Sequence, residues 1–166
     1  MPHAIILGMT ESGKTTLAKR LATQYKKNDI GVIVCDPLND PGWDADYQTT
    51  DSVEFLRVVR GSRSCAVFID ESGEVVGKYN DDMFWLATRG RHYGHNCHFI
   101  TQRGAQLAKT VRDQAGRLYL FNCSLDDAKI LSNEWNRPEL KEANTLRQGE
   151  FFSVSRFGPI EKHKLF

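Results

Sequence analysis

Ala4-Ile5-Ile6-Leu7 runs directly into Gly8-Met9-Thr10-Glu11-Ser12-Gly13-Lys14-Thr15-Thr16, and Leu17, Leu21 and Tyr25 follow at helical spacing. A short apolar strand, a loop with glycine at both ends and Lys-Thr opening a helix satisfy G-x-x-x-x-G-K-[ST] in the context that makes it a phosphate loop. The glycines let the backbone wrap around phosphates, while successive N–H groups and the helix N-terminus bind their charge. Residues 8–16 are therefore the expected nucleotide cradle. Lys14 should reach the β- and γ-phosphates, and the Thr15 hydroxyl should ligate Mg2+.

A second stretch supplies the acids. Cys65-Ala66-Val67-Phe68-Ile69 is an apolar strand that delivers Asp70 and Glu71 to the carboxyl edge of the same sheet. Asp70 is expected to hold Mg2+ through water, and Glu71 to polarise a water attacking the γ-phosphate in line. Nucleotide kinases generally lack the second acid, so the pair favours hydrolysis coupled to motion.

Further runs at 31–35, 97–101, 118–121 and 151–154 read as buried strands, and 14–27, 52–60, 81–89 and 125–135 as helices. Strand–helix alternation of this length implies an α/β fold with a mostly parallel sheet covered by helices on both faces. Residues 36–48 (DPLNDPGWDADYQ) form the one long polar loop, a candidate subunit contact whose Trp43 could stack on adenine. With no repeat or linker in sight, residues 1–166 read as one domain.

Composition narrows the function. The 166 residues carry a net charge of only +1, which excludes a bulk polycation. The charge is uneven: residues 1–83 hold 9 Lys/Arg against 13 Asp/Glu, residues 84–166 hold 13 against 8. A basic second half suits a polyanionic partner. No apolar run approaches the ~18 residues needed to span a bilayer. There is no basic stretch at the start of the chain, and the four cysteines form no C-x-x-C pair. A reduced, cytoplasmic protein is expected.

Arg91-His92-Tyr93-Gly94-His95-Asn96-Cys97-His98-Phe99-Ile100-Thr101-Gln102-Arg103 enters a strand from a basic helix end and leaves it at Thr-Gln. Here the chain resembles the FtsK–HerA family of DNA-pumping ATPases, whose motif places an arginine three residues before a glycine and ends the next strand in Thr-Gln or Ser-Gln. Residues 107–113, 116–121 and 124–131 are similar to the family's next helix, strand and helix, and Gly149-Glu150-Phe151-Phe152 to its late strand. The resemblance implies a RecA-like ATPase fold, ATP and Mg2+ as cofactors, and a hexameric ring that moves double-stranded DNA without regard to sequence. It makes Gln102 the polar sensor and Arg91 an arginine finger for a neighbouring subunit, with Arg89 and Arg103 as rivals. Glu11 departs from the family, which usually has glycine there. The chain looks most like the packaging ATPases of tailless, membrane-containing viruses, so a capsid or membrane protein is the expected docking partner.

Two weaker groupings remain. His92, His95, Cys97 and His98 mimic a zinc set, but Cys97 and His98 on an extended strand point to opposite faces. Residues 84–117 hold six Lys/Arg (Arg89, Arg91, Arg103, Lys109, Arg112, Arg117) against Asp113, a candidate DNA-facing surface. A DNA-translocating ATPase is the leading reading, and a nucleotide kinase on a P-loop fold is the alternative.

Overall fold

The first strand, β1 (His3–Leu7), is buried along its whole length because it is fifth of eight strands in one sheet. A computed structural model describes residues 2–70, 84–104 and 107–166. After β1 come α1 (Lys14–Lys27), β2 (Val32–Cys35), β3 (Tyr47–Thr49), α2 (Ser52–Arg60) and β4 (Ala66–Ile69). Helical residues 84–89 (α3) pass into a 3-10 turn, Gly90–Tyr93, that leads to β5 (Asn96–Thr101). Next are α4 (Lys109–Gln114), β6 (Ala115–Leu120), α5 (Leu125–Trp135), a 3-10 segment at Pro138–Thr145, and the hairpin β7 (Glu150–Ser155) and β8 (Ile160–Lys164).

The strand order is β3-β2-β4-β5-β1-β6-β7-β8. All pairs from β3 to β6 are parallel, whereas β7 and β8 add antiparallel strands. This is the expected mostly parallel α/β sheet. Side chains alternate between its faces. Ile5, Leu7, Ile33, Phe99 and Leu118 join Phe55 and Val59 of α2, Leu86 of α3 and Leu131 of α5 in one core layer. Ile6, Val34, Phe68 and Ile100 meet Leu17, Ala18 and Ala22 of α1 in the other.

Two strands escape the sequence pattern. β3 lies at one edge, inside the stretch expected to be a polar loop, and β8 at the other presents charged, exposed side chains. Charge along an edge strand blocks further pairing, which is why β8 carries no apolar alternation. The polar loop itself is wound around a buried carboxylate. Asp36 accepts the N–H groups of Leu38 and Asp40, both at 2.9 Å, and the indole N–H of Trp43 at 3.2 Å. Trp43 is buried against Phe68, 5.5 Å between ring centres, so its face is not free for adenine.

The histidines are structural donors and acceptors. His95 accepts the Cys65 N–H at 3.1 Å and lies 2.9 Å from the Val59 carbonyl; His3 accepts the Cys97 N–H at 3.0 Å. His98 bridges the Val67 carbonyl at 3.1 Å and the Tyr25 hydroxyl at 3.2 Å, stacked on Phe68. Burial lowers the pKa of His3 to about 4, with the nearby Arg91 charge adding to it, and burial lowers His98 to about 4 as well. The unfolded chain takes up these protons near pH 6.5, while the folded chain refuses them until about pH 4. Stability should therefore be full above pH 6.5 and fall as pH drops toward 4, by about 3 kcal/mol per histidine. Urea unfolding at steps from pH 7 to 4.5 checks this. A midpoint that does not move would show that neither ring is held neutral.

Candidate nucleotide-binding site

The loop between β1 and α1 sits where the parallel strands end, beside β5 and β6. Gly8 N–H donates to the Thr101 carbonyl at 3.2 Å and Met9 N–H to the Asn122 carbonyl at 2.8 Å, which ties the loop to both neighbouring strand ends. A Cβ at Gly8 would lie 2.5 Å from Ser12 Oγ and 2.6 Å from Phe121 Cβ, so only glycine fits. At the other end Gly13 takes φ of 114° and is the N-cap of α1 without any side-chain cap. By contrast, α2 and α5 are capped by Asp51 and Ser124. With no acid in its first turn either, α1 directs its first N–H groups and the positive end of its dipole at the cradle.

Glu11, the departure from glycine, adopts φ of 64° and faces solvent. It thus keeps a backbone shape that glycine takes freely, and its exposed side chain stands at the rim of the cavity that Lys14 and Thr15 also line. Ser12 is buried, Thr10 and Thr16 are exposed, and Met9 is a largely exposed apolar side chain at the lip.

Lys14 is buried, and its ammonium donates to the Met9 carbonyl at 3.3 Å, across the mouth of the loop. Thr15 Oγ1 donates to Asp70 Oδ2 at 3.5 Å, and Asp70 N–H is fixed by the Cys35 carbonyl at 2.9 Å. A hydroxyl and a carboxylate converging at one point are hard oxygen donors. They suit Mg2+, which takes one or two protein ligands and completes its shell with waters and phosphate oxygens. The neighbouring Cys35 thiol is pushed up to about 12 by burial and by the charges of Asp36, Asp51 and Asp70, and so stays protonated at neutral pH. A cavity of about 270 Å³ is lined by Glu11, Gly13, Lys14, Thr15, Thr16, Gln148 and Phe166. Glu71 lies outside the described residues.

Gln102 follows the last residue of β5, half-buried, where Thr101 pairs with Leu7 and bonds Gly8. It shares a second cavity of about 350 Å³ with Met9, Thr10, Arg103 and Asp127. Arg91 sits at the opposite edge of the sheet. It precedes β5, whose first residue pairs with Ala66 at the start of β4, and its guanidinium donates to the Gln114 carbonyl at 2.6 Å. The length of β5, roughly 20 Å, separates it from its own loop. Arg89 shares that edge, whereas Arg103 stands by the loop, 4.0 Å from Asp127. Of the basic residues counted over 84–117, Arg112 turns inward. It is 13% exposed, pairs with Glu134 at 3.2 Å and donates to the Gly104 carbonyl at 3.1 Å. It braces α4 against α5 and is removed from the DNA-facing set.

One part of the site left little trace in the sequence. Gly149 N–H donates to the Ser12 carbonyl and the Gln148 amide to the Glu11 carbonyl, both at 2.9 Å. The turn before β7 therefore clasps the loop from 135 residues away or more. Only the Gly149-Glu150 pair hinted at it.

Such a sheet, with a phosphate loop on its central strand and an acid at the end of a strand one place removed, has the fold of a RecA-like P-loop ATPase. Among solved structures it is similar to the genome-packaging NTPase B204 of Sulfolobus turreted icosahedral virus 2 in complex with AMPPCP. The TM-score is 0.81 at 19% identity, over 98% of this chain and 96% of that one. It is also similar to VirB4 of Thermoanaerobacter pseudethanolicus (TM-score 0.74, 10% identity, 98% and 88% covered) and to the pCW3 conjugation coupling protein TcpA (0.76, 15%, 98% and 59%). These neighbours are of the FtsK–HerA type that the sequence resembles. No protein-family model and no curated protein matches the sequence. Among the described residues no helix is long and apolar enough to cross a membrane.

Gly8→Ala should unseat the loop, and Lys14→Ala should remove the buried cation. Both should weaken Mg·ATP binding by at least tenfold in calorimetry, roughly the effect of losing one charge-assisted hydrogen bond. Unaltered affinity in both would place the nucleotide elsewhere.

Proposed function

We propose that residues 1–166 form the motor domain of an ATP-hydrolysing translocase that works as a ring on double-stranded DNA, of the kind that packages a viral genome. The observation that carries this is the meeting of Thr15 with Asp70 across an intervening strand, β5, that Gln102 follows beside the loop. A solved neighbour bearing the same fold is a genome-packaging NTPase bound to an ATP analogue, and that supports the reading.

In this mechanism the N–H groups at the start of α1 and the Lys14 ammonium hold the triphosphate, and the Thr15 hydroxyl and Asp70 carboxylate would hold Mg2+. The bound ion supplies charge neutralisation on the β- and γ-oxygens. Glu71, adjacent to Asp70 in sequence, takes a proton from the attacking water. Gln102 sits between the loop and β5, where it can sense whether the γ-phosphate is present. Arg91, too far from its own loop, completes the site of a neighbour. Exposed Arg89, Arg103 and Lys109 are cations available to DNA phosphates, giving sequence-independent and salt-sensitive binding.

Phosphate release should rise when duplex DNA of any sequence is added, and specific activity should climb with protein concentration. Glu71→Gln should keep nucleotide binding and lose roughly 10²–10⁴ in rate. Arg91→Ala should also bind and lose about 10³–10⁵. Mixing the two variants should restore part of the activity, since each supplies the half the other lacks. No recovery at any ratio, together with a rate independent of concentration and of DNA, would rule out the ring motor and favour a monomeric kinase.

A further inference from the structure

The phosphates of a nucleotide seated on the loop lie at the N-terminus of α1, so the nucleoside must leave the cavity past Thr16. What stands there is Phe166. The chain end is fastened to the site at three points: Leu165 N–H donates to the Gly149 carbonyl at 2.8 Å, Arg20 donates to the Leu165 carbonyl at 3.3 Å, and Gly149 itself is bonded to Ser12. The Phe166 ring lies directly against Gly149, whose φ is 85°. A Cβ on that glycine would come within 3.0–3.2 Å of three ring carbons. Bare backbone thus lets the ring reach the cavity that Lys14 and Thr15 also line.

A ring held so closely would ordinarily be buried. Phe166 remains 58% exposed, although it lines the cavity. An anchored aromatic ring that lines a phosphate cradle and stays solvent-accessible can stack on a flat π-system. Trp43, the aromatic that sequence alone offered to the base, is spent on the core.

We propose that the Phe166 ring is the stacking surface for the base of the bound nucleotide and sets a preference for purine over pyrimidine nucleoside triphosphates. The inference rests on the phosphate-loop reading of residues 8–16. Stacking buries apolar area on both partners and favours the larger ring system. It tolerates adenine and guanine alike, because each offers the same two-ring face.

The test compares calorimetric binding of Mg2+ with non-hydrolysable adenosine and cytidine triphosphate analogues and with inorganic tripolyphosphate. It uses the full chain and its Phe166→Ala, Phe166→Trp and Lys14→Ala variants. Phe166→Ala should weaken the adenosine analogue roughly 5- to 100-fold and reduce the adenosine-over-cytidine preference, while tripolyphosphate binding stays unchanged. Phe166→Trp should restore the adenosine affinity. Lys14→Ala should weaken all three ligands. Equal adenosine affinity in wild type and Phe166→Ala would overturn the proposal and leave the phosphate loop standing. Parallel loss of tripolyphosphate in Phe166→Ala would overturn it too, because the residue would then be propping the loop. If the wild-type chain bound neither tripolyphosphate nor nucleotide, the phosphate-loop reading would fail and the stacking role with it.

Discussion

Gly8 leaves no space for a side chain, and that restriction sets the geometry of the whole carboxyl edge. With Phe121 Cβ and Ser12 Oγ both inside the reach of a Cβ, the chain leaving β1 must fold back tightly over the end of β6. The turn buries Ser12, exposes Glu11 and starts α1 over the sheet. The consequence is lateral as much as vertical. β1 and β4 are separated by β5, so their strand axes lie roughly 10 Å apart. Yet Thr15 on the first turn of α1 comes within 3.5 Å of Asp70 beyond β4. The loop spans that gap, and a helix beginning elsewhere would leave the hydroxyl and the carboxylate with no common point. Clasping by Gln148 and Gly149 from the far side holds the turn in place without adding any group to the cradle itself.

What could be read in advance was whatever the chain states locally. β1, the loop and α1 are contiguous, and each signals through residue type: apolar run, glycine spacing, helical period. The bounds expected for α1, α2 and α5 match the structure because each has a clear start, a glycine or a capping side chain. β3 and β8 were hidden for a physical reason. Edge strands are half solvated, so Tyr47-Gln48-Thr49 and Ile160-Glu161-Lys162-His163-Lys164 show only one apolar residue each, Tyr47 and Ile160, against the core. Phe166 was hidden because its role depends on a contact with Gly149 that only the β7–β8 hairpin creates. The place of Asp70 was legible, since an apolar strand such as β4 delivers the residue after it to the edge wherever the strand lies in the sheet.

One member of the basic count over 84–117 is instructive: Arg112. Charge summed along a chain assumes that charged residues face water. Arg112 instead enters a buried network in which Glu134 balances it. Arg156 lies over the Trp135 ring at 3.7 Å and donates to the carbonyls of Arg112, Ala115 and Glu134. Burial lowers the pKa of Arg156, against the pull of Asp113 and Glu134. Guanidinium groups suit this work because one planar fork can satisfy several carbonyls at once. The joint they make ties together the end of α4, the start of β6 and the end of α5. Removing one member would strand its partners in a buried setting, which costs more than the pair contributes.

The sheet thereby acquires two unlike edges. Its carboxyl edge holds the loop, Asp70 and Gln102. Its amino edge holds Arg91 on the 3-10 turn, with Arg60 stacked over Trp85 at 4.8 Å and Arg63 over Tyr93 at 4.1 Å. An Arg91 that serves a nucleotide must serve one on another subunit, because the strand between is rigid and its length is fixed by the same pleat that defines the sheet. Contact between unlike surfaces is head-to-tail by definition. Repeated, it closes into a ring or runs on as a filament, and a symmetric dimer cannot satisfy it. If Arg91 serves a neighbour as proposed, assembly and completion of the nucleotide site would be one event, and a lone subunit would stay quiet until its neighbours arrive.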